Sequence, residues 1–99
     1  MSDFQFKTPD EIQSQLGERI RQLRLRVDIT QAALAGRAGV SARAIRSLEN
    51  GEGSSLATLI RVLKALGAES SLDAIAPQPT ISPMALLERG KAPQRARGK

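Results

Sequence analysis

The segment that most constrains the fold spans residues 29–53 and reads ITQAALAGRAGVSARAIRSLENGEG. Gly39 divides it into two short stretches that are both rich in alanine and aliphatic residues. Thr30 and Ser41 precede the two stretches, and threonine and serine are residue types that cap helix N-termini. A glycine suits the left-handed position that ends a helix. The segment therefore predicts two short helices joined by a tight turn at the glycine.

The residues before this segment predict a longer helix. Thr8 is a cap, Pro9 suits the first helical position, and Glu11 can complete a capping box. Apolar residues then follow at spacings of three and four, which is the pattern of one buried helix face; they are Ile12, Leu16, Ile20, Leu23 and Val27. The pattern predicts a helix that ends near Asp28.

The residues after the segment predict one or two further helices. Ser55 can cap a fourth helix and Gly67 can end it. The apolar residues between them have helical spacing and are expected to face the core; they are Leu56, Leu59, Ile60, Leu63 and Leu66. Residues 71–76 can add a short fifth helix.

Prolines mark residues 77–83, PQPTISP, as a linker. Beyond the linker we expect a short helix over residues 84–89 and then a disordered basic tail. The chain thus divides into a flexible N-terminus (1–8), one helical domain (9–76) and a C-terminal extension (77–99).

Composition favours a small all-α domain with an aliphatic core. Hydrophobic residues make up 40% of the sequence but aromatic residues only 2%, and no stretch alternates with the period of a β-strand. Cysteine and histidine are absent, which argues against a disulfide scaffold, a zinc site and catalysis by either residue. We therefore expect no metal, no cofactor and no enzymatic activity.

The sequence also argues against a membrane or secreted protein. It has no apolar run of about 18 residues, the length that would suggest a membrane-spanning helix. The N-terminus, MSDFQFKTPDE, is acidic and lacks the apolar stretch of a signal peptide. A cytoplasmic protein is the expectation.

Positive charge is concentrated in two regions. The net charge is +5, and residues 89–99 supply all of it, because basic and acidic residues cancel over residues 1–88. Within that neutral part, residues 19–48 hold seven arginines and one acidic residue, Asp28. Basic patches of this kind are typical of nucleic-acid-binding surfaces. The tail itself has three open interpretations: a solvated end, an arm along DNA, or a segment that docks on an acidic protein.

Several short motifs in this order resemble the phage-repressor-like (XRE, Cro/cI) helix-turn-helix family. They are IRQLR at 20–24, TQAALA at 30–35, AGVS at 38–41, Ile45 and LENG at 48–51, followed by a fourth-helix segment, LATLIRVLKALG. The resemblance covers about half of the chain. It implies an all-α, lambda-repressor-like helix-turn-helix domain of four to five helices with a C-terminal extension, in a bacterial or phage protein associated with the nucleoid.

The resemblance also implies roles for individual residues. The DNA-binding positions are Gln31, Ser41, Ala42, Arg43, Arg46, Ser47 and Asn50. Of these, Gln31 is expected to bind a phosphate and brace the third helix, and Asn50 to approach the DNA backbone. The two arginines suit guanine, since a guanidinium matches its O6 and N7 atoms. Arg24 and Glu49 match a structural salt bridge of the family.

An exposed helical arginine is usually only a solvated side chain, and that is how we interpret Arg19, Arg21 and Arg26. Arg43 and Arg46 differ because they lie in the helix that the motif assigns to base reading. The resulting hypothesis is a homodimeric repressor or autorepressor that binds a palindromic site in double-stranded DNA, with Leu72 and Ile75 at the dimer interface. Two alternatives stay open: an antitoxin that also neutralises a toxin protein, and a protein-interaction module built on the same fold.

Overall fold

A computed structural model describes residues 4–76, 78 and 79, and over these residues the protein is a bundle of helices. The helices are α1 (Pro9–Arg26), α2 (Gln31–Ala38), α3 (Ala42–Glu49), α4 (Leu56–Ala65) and α5 (Leu72–Ile75), with a 3₁₀ turn at Glu69–Ser71. No strand occurs in this part of the chain, which confirms the all-α fold class. The helix expected over 84–89 and the basic tail lie outside the described residues.

Hydroxyl side chains begin the four longer helices, as the sequence predicted. In each case the hydroxyl oxygen accepts a hydrogen bond from the backbone N–H three residues on; the caps are Thr8, Thr30, Ser41 and Ser55. At α1 the carboxylate of Glu11 also accepts from the Thr8 N–H at 2.8 Å, which completes the capping box. Gly39 ends α2 with φ 72°, a backbone conformation that a side chain would penalise.

The core is aliphatic and lies between α1, α2, α3 and α4. Its buried members are Ile20, Leu34, Ala35, Ala38, Ile45, Leu48, Val62 and Leu63. Helix α2 packs against both α3 and α4, and α1 packs against α3. The small Ala35 is 5% exposed, and a larger side chain at this position would hold α2 away from its neighbours.

The buried face of α4 differs from the predicted one. Leu56 is 67% exposed and Ile60 is 39% exposed, whereas Val62 is fully buried. The helix presents a face rotated from the expected one, made of Leu59, Val62, Leu63 and Leu66. In the same way, Val27 is 48% exposed because α1 ends at Arg26, so Val27 does not continue the buried face.

The backbone of α1 approaches the end of α3 unusually closely at Gly17. This glycine is buried, and a Cβ atom placed on it would collide with the carbonyl oxygen of Leu48 and lie 2.8 Å from that of Glu49. Both obstacles are backbone atoms, which cannot rotate away as the end of a side chain could. Glycine is therefore the residue that lets the two helices lie at this distance.

We expect Gly17→Ala to destabilise the protein, because the added methyl group must push α1 away from α3. Overpacking of this kind costs about 1–3 kcal/mol. The matched control is Gly36→Ala, since a Cβ at Gly36, which is also helical, meets no atom within 4 Å. That change should raise the free energy of unfolding by about 0.4–1 kcal/mol, because alanine allows the unfolded chain fewer conformations than glycine does. Urea unfolding of both variants measures the two free energies, and equal effects would contradict the close approach.

Candidate nucleic-acid interface

Helix α3 has one buried face and one exposed face. Ile45 is fully buried and Leu48 nearly so, and both belong to the core. Arg43 and Arg46 lie three residues apart on the exposed side. Ser47 is half-buried, and so is Ala42, which packs against the core. The apolar anchors therefore fix the rotation of the helix and present its two guanidinium groups to solvent.

The two ends of α3 carry the remaining predicted contact residues of this helix. Ser41 is exposed, and its hydroxyl oxygen accepts a hydrogen bond from the Ala44 N–H at 3.0 Å. Asn50 is exposed at the C-cap, and its own N–H donates to the Arg46 carbonyl oxygen at 2.9 Å. The side-chain amide of Asn50 thus lies at the surface next to the loop that leads to α4.

A buried ion pair joins α1 to the end of α3. Arg24 donates from Nε to Glu49 Oε2 at 2.7 Å and from its Nη2 atom to Oε1 at 3.0 Å, which is a two-pronged contact. The two side chains are 9% and 1% exposed. The Nη1 atom of Arg24 also donates to the carbonyl oxygen of Ile29 at 2.8 Å. The guanidinium therefore holds both α3 and the connection that leads into α2.

Gln31, the first residue of α2, completes this network. Its Nε2 atom donates to Glu49 Oε1 at 3.0 Å, and the residue is half-buried. The Glu49 carboxylate consequently receives three hydrogen bonds, two from Arg24 and one from Gln31. The side chain of Gln31 links the start of α2 to the end of α3 and so fixes the angle between the two helices.

These contacts control the charge state of Glu49. Burial alone would raise the pKa of its carboxyl group, but the hydrogen bonds from Arg24 and Gln31 and the positive charge of Arg24 outweigh burial and lower it. The hydrogen bonds to Glu49 likewise raise the pKa of the Arg24 guanidinium. Because the pKa of Glu49 is lower in the folded state, its stabilising contribution is present above the ordinary glutamate pKa, about 4.3. It is lost as the pH falls through the lowered value.

We expect Arg24→Ala to reduce the free energy of unfolding by about 3–5 kcal/mol, because it leaves the Glu49 charge buried without its partner. The matched control is Arg21→Ala. Arg21 pairs with Glu18 at 3.5 Å on the surface of α1, where the two side chains are 47% and 54% exposed. Breaking an exposed pair should cost about 0–1 kcal/mol. Thermal melts of both variants at pH 7 compare the two costs, and a similar small shift for each would contradict the structural role of Arg24.

The residues predicted for the dimer interface differ in exposure. Leu72 is half-buried and packs against the protein's own core, whereas Ile75 is 58% exposed. Ile75 lies on the rim of an apolar groove between α1, α4 and α5, with a volume of about 580 Å³. Sequence reasoning did not find this groove, because the helical spacing of its residues was interpreted as evidence of a filled core.

The N-terminal residues lie at the same groove. Phe4 lines it, and the guanidinium of Arg19 stands 4.7 Å from the centre of the Phe4 ring. This is a cation–π distance. Arg19 was interpreted as part of a solvated face, and the sequence holds no signal that pairs it with an aromatic residue fifteen positions away.

Other kinds of site find little support in the described residues. Within residues 4–76, 78 and 79, no group of three acidic, cysteine or histidine side chains is arranged to hold a metal ion. No helix in this part of the chain is long and apolar enough to cross a membrane.

The pair α2–α3, with its glycine turn and outward-facing arginines, defines a DNA-binding helix-turn-helix domain. The comparison with known families agrees: the model of a helix-turn-helix domain family matches residues 15–74, which is more than half of the chain. The protein therefore belongs to this family, which is of the XRE/Cro-cI type. No curated protein shows a significant match to the chain.

Proposed function

We propose that the protein is a sequence-specific transcriptional regulator that reads the major groove of double-stranded DNA with α3 and acts as a homodimeric repressor or autorepressor. The observation that carries the proposal is the arrangement of α3, whose buried Ile45 and Leu48 leave Arg43 and Arg46 exposed together on its outer side. Family membership supplies the DNA-binding context.

The proposed base contacts follow from the chemistry of two exposed arginines of α3 and of the residues near them, of which Ala42 and Ser47 are half-buried. The guanidinium groups of Arg43 and Arg46 suit the O6 and N7 atoms of guanine, and the methyl group of Ala42 suits that of thymine. The hydroxyl groups of Ser41 and Ser47 can hydrogen-bond a base or a phosphate oxygen. Ser41 keeps its hydroxyl hydrogen for such a bond, because its role as a cap uses only the oxygen as an acceptor.

Gln31 and Asn50 are proposed to bind the DNA backbone. Gln31 lies at the start of α2, where the first backbone N–H groups have no partner within the helix and favour an anion. Its amide nitrogen already donates one hydrogen to Glu49 and has a second to donate. Contacts to phosphates position the protein without reading sequence, so these residues would fix the register of α3 along the groove.

We expect Arg43→Ala to weaken binding to the selected DNA site by about 1–3 kcal/mol and to relax the base preference at one position in each half-site. The control is Arg61→Ala, which removes the same charge from the exposed surface of α4. It should change affinity for all DNA alike and leave the preferred sequence intact. Selection from a random DNA pool, followed by binding titrations, measures both effects. An unchanged preference for Arg43→Ala would contradict the docking of α3.

We also propose that two copies bind together, with Ile75 and Leu72 at their interface. One α3 helix covers few base pairs, whereas two related by a two-fold axis would reach successive turns of the major groove, roughly 34 Å apart. The expected result is a dimer in sedimentation experiments and a DNA footprint with two-fold symmetry. Ile75→Ser should shift the protein towards the monomer, and the control Ile60→Ser, at another exposed apolar residue, should not. A monomer at tens of micromolar with an asymmetric footprint would contradict the proposal.

A further inference from the structure

The apolar groove lies between α1, α4 and α5. It is lined by apolar side chains from three helices: Ile12, Leu16 and Leu23 of α1, Leu59 and Leu63 of α4, and Ile75 of α5. Its volume of about 580 Å³ falls within the range of about 300–1,000 Å³ that is typical of ligand sites. A concave surface with this lining is suited to bind an apolar segment of a protein chain.

The proposed dimer interface at α5 buries too little area by itself, and the groove lies next to it. A stable interface buries about 800 Å² on each partner. Helix α5 is four residues long, and of its two large apolar side chains Leu72 is already packed against the protein's own core. Ile75 therefore provides little area by itself, and α5 alone is too small to hold two copies together.

The sequence that follows α5 contains the missing apolar surface. The chain leaves the helical domain at Ala76, next to Ile75 on the groove rim, and residues 81–87 then read ISPMALL. Ser82 and Pro83 are a helix start signal in the sequence, and in the helix that they predict Met84 and Leu87 would lie three residues apart on one face. Ile81 precedes the cap, where an apolar residue commonly packs against the fourth helical position.

The linker determines which groove this segment reaches. Pro77 and Pro79 favour an extended backbone, which advances about 3.1 Å for each residue. A fully extended stretch of five residues would place Ile81 about 15 Å from Ala76. Returning the segment to the groove of its own chain, which Ile75 lines, would require this extended linker to reverse its direction within a few residues. In the proposed dimer, a second copy placed against α5 would present its own groove to the segment instead.

We propose that residues 81–87 of each chain bind in the apolar groove of the second copy, so that the homodimer is formed by a reciprocal exchange of C-terminal segments. This inference rests on the homodimer of the proposed function. It assigns to Ile81, Met84 and Leu87 the role of anchors, and to the groove the role of their receptor. The DNA-reading pair α2–α3 takes no part in the exchange.

A disulfide-trapping experiment tests this exchange directly, because the natural chain has no cysteine. The full-length double variant Ala74→Cys/Ala85→Cys places one thiol beside the groove and one within the segment. After mild oxidation we expect disulfide-linked dimers on a denaturing, non-reducing gel. The control variant Ala74→Cys/Arg97→Cys moves the second thiol along the tail, and we expect it to link several-fold less.

Mixing two singly substituted chains of different mass identifies the linked sites. One chain carries Ala74→Cys and the other Ala85→Cys, and a product of the combined mass supports the exchange. A link within one chain of the double variant would overturn it, because the segment would then occupy its own groove. Dimers in sedimentation without either link would overturn the exchange but leave the homodimer. Monomers in sedimentation would overturn both.

A second pair of variants in the natural, cysteine-free background tests the anchors themselves. Leu87→Ser should raise the dimer dissociation constant at least about ten-fold, since each subunit loses a buried leucine side chain. Gln94→Ser, in the same tail but outside residues 81–87, should leave the constant unchanged. Circular dichroism of both variants should match that of the natural protein, and equal dissociation constants for the two variants would overturn the role of Leu87.

Discussion

The geometry of the helix-turn-helix pair α2–α3 depends on one buried ion pair, Arg24–Glu49. Two buried charges are costly unless their hydrogen-bonding groups are satisfied, and here the Glu49 carboxylate receives three hydrogen bonds while Arg24 also binds the Ile29 carbonyl oxygen. The contact joins α1, the start of α2 and the end of α3 at one point. The ion pair orients the helices as well as stabilising them. The planar guanidinium can make all of these hydrogen bonds in few other arrangements of the three helices.

The close approach at Gly17 acts at the same end of α3. The Gly17 backbone lies against the Leu48 and Glu49 carbonyl groups, beside the carboxylate that Arg24 holds. The close backbone contact at Gly17 and the buried Arg24–Glu49 ion pair thus fix the C-terminal half of α3 to α1. The N-terminal half is free of such contacts on its outer side, and this is where Arg43 lies exposed. Rigid support at one end and open access at the other are what a base-reading helix requires.

The helix ends could be predicted from the sequence, but the packing of the helices could be predicted only in part. Hydroxyl caps and Gly39 place the boundaries because each acts within a few residues, and Ile45 and Leu48 mark the buried side of α3 correctly. The face of α4 was wrong at Leu56 and Ile60, because Leu59 and Leu63 belong equally to two overlapping faces and burial depends on where α1 and α2 lie. The groove was missed for the same reason. The Arg24–Glu49 contact came from family resemblance, since spacing alone cannot bring together two residues 25 positions apart.

The central position of α2 has a consequence for the order in which the protein folds. Helix α2 packs against α3, its neighbour in the chain, and against α4, the next helix along. Only the α2–α3 contact closes a short loop, whereas docking α4 against α2 or α1 against α3 must close a longer one. We therefore expect α2 and α3 to pair first, and α1 and α4 to dock later. Changes at the α1–α3 contact would then act chiefly on the rate of unfolding rather than on the rate of folding. The contact that orients α3 would therefore also govern how long the native state lasts.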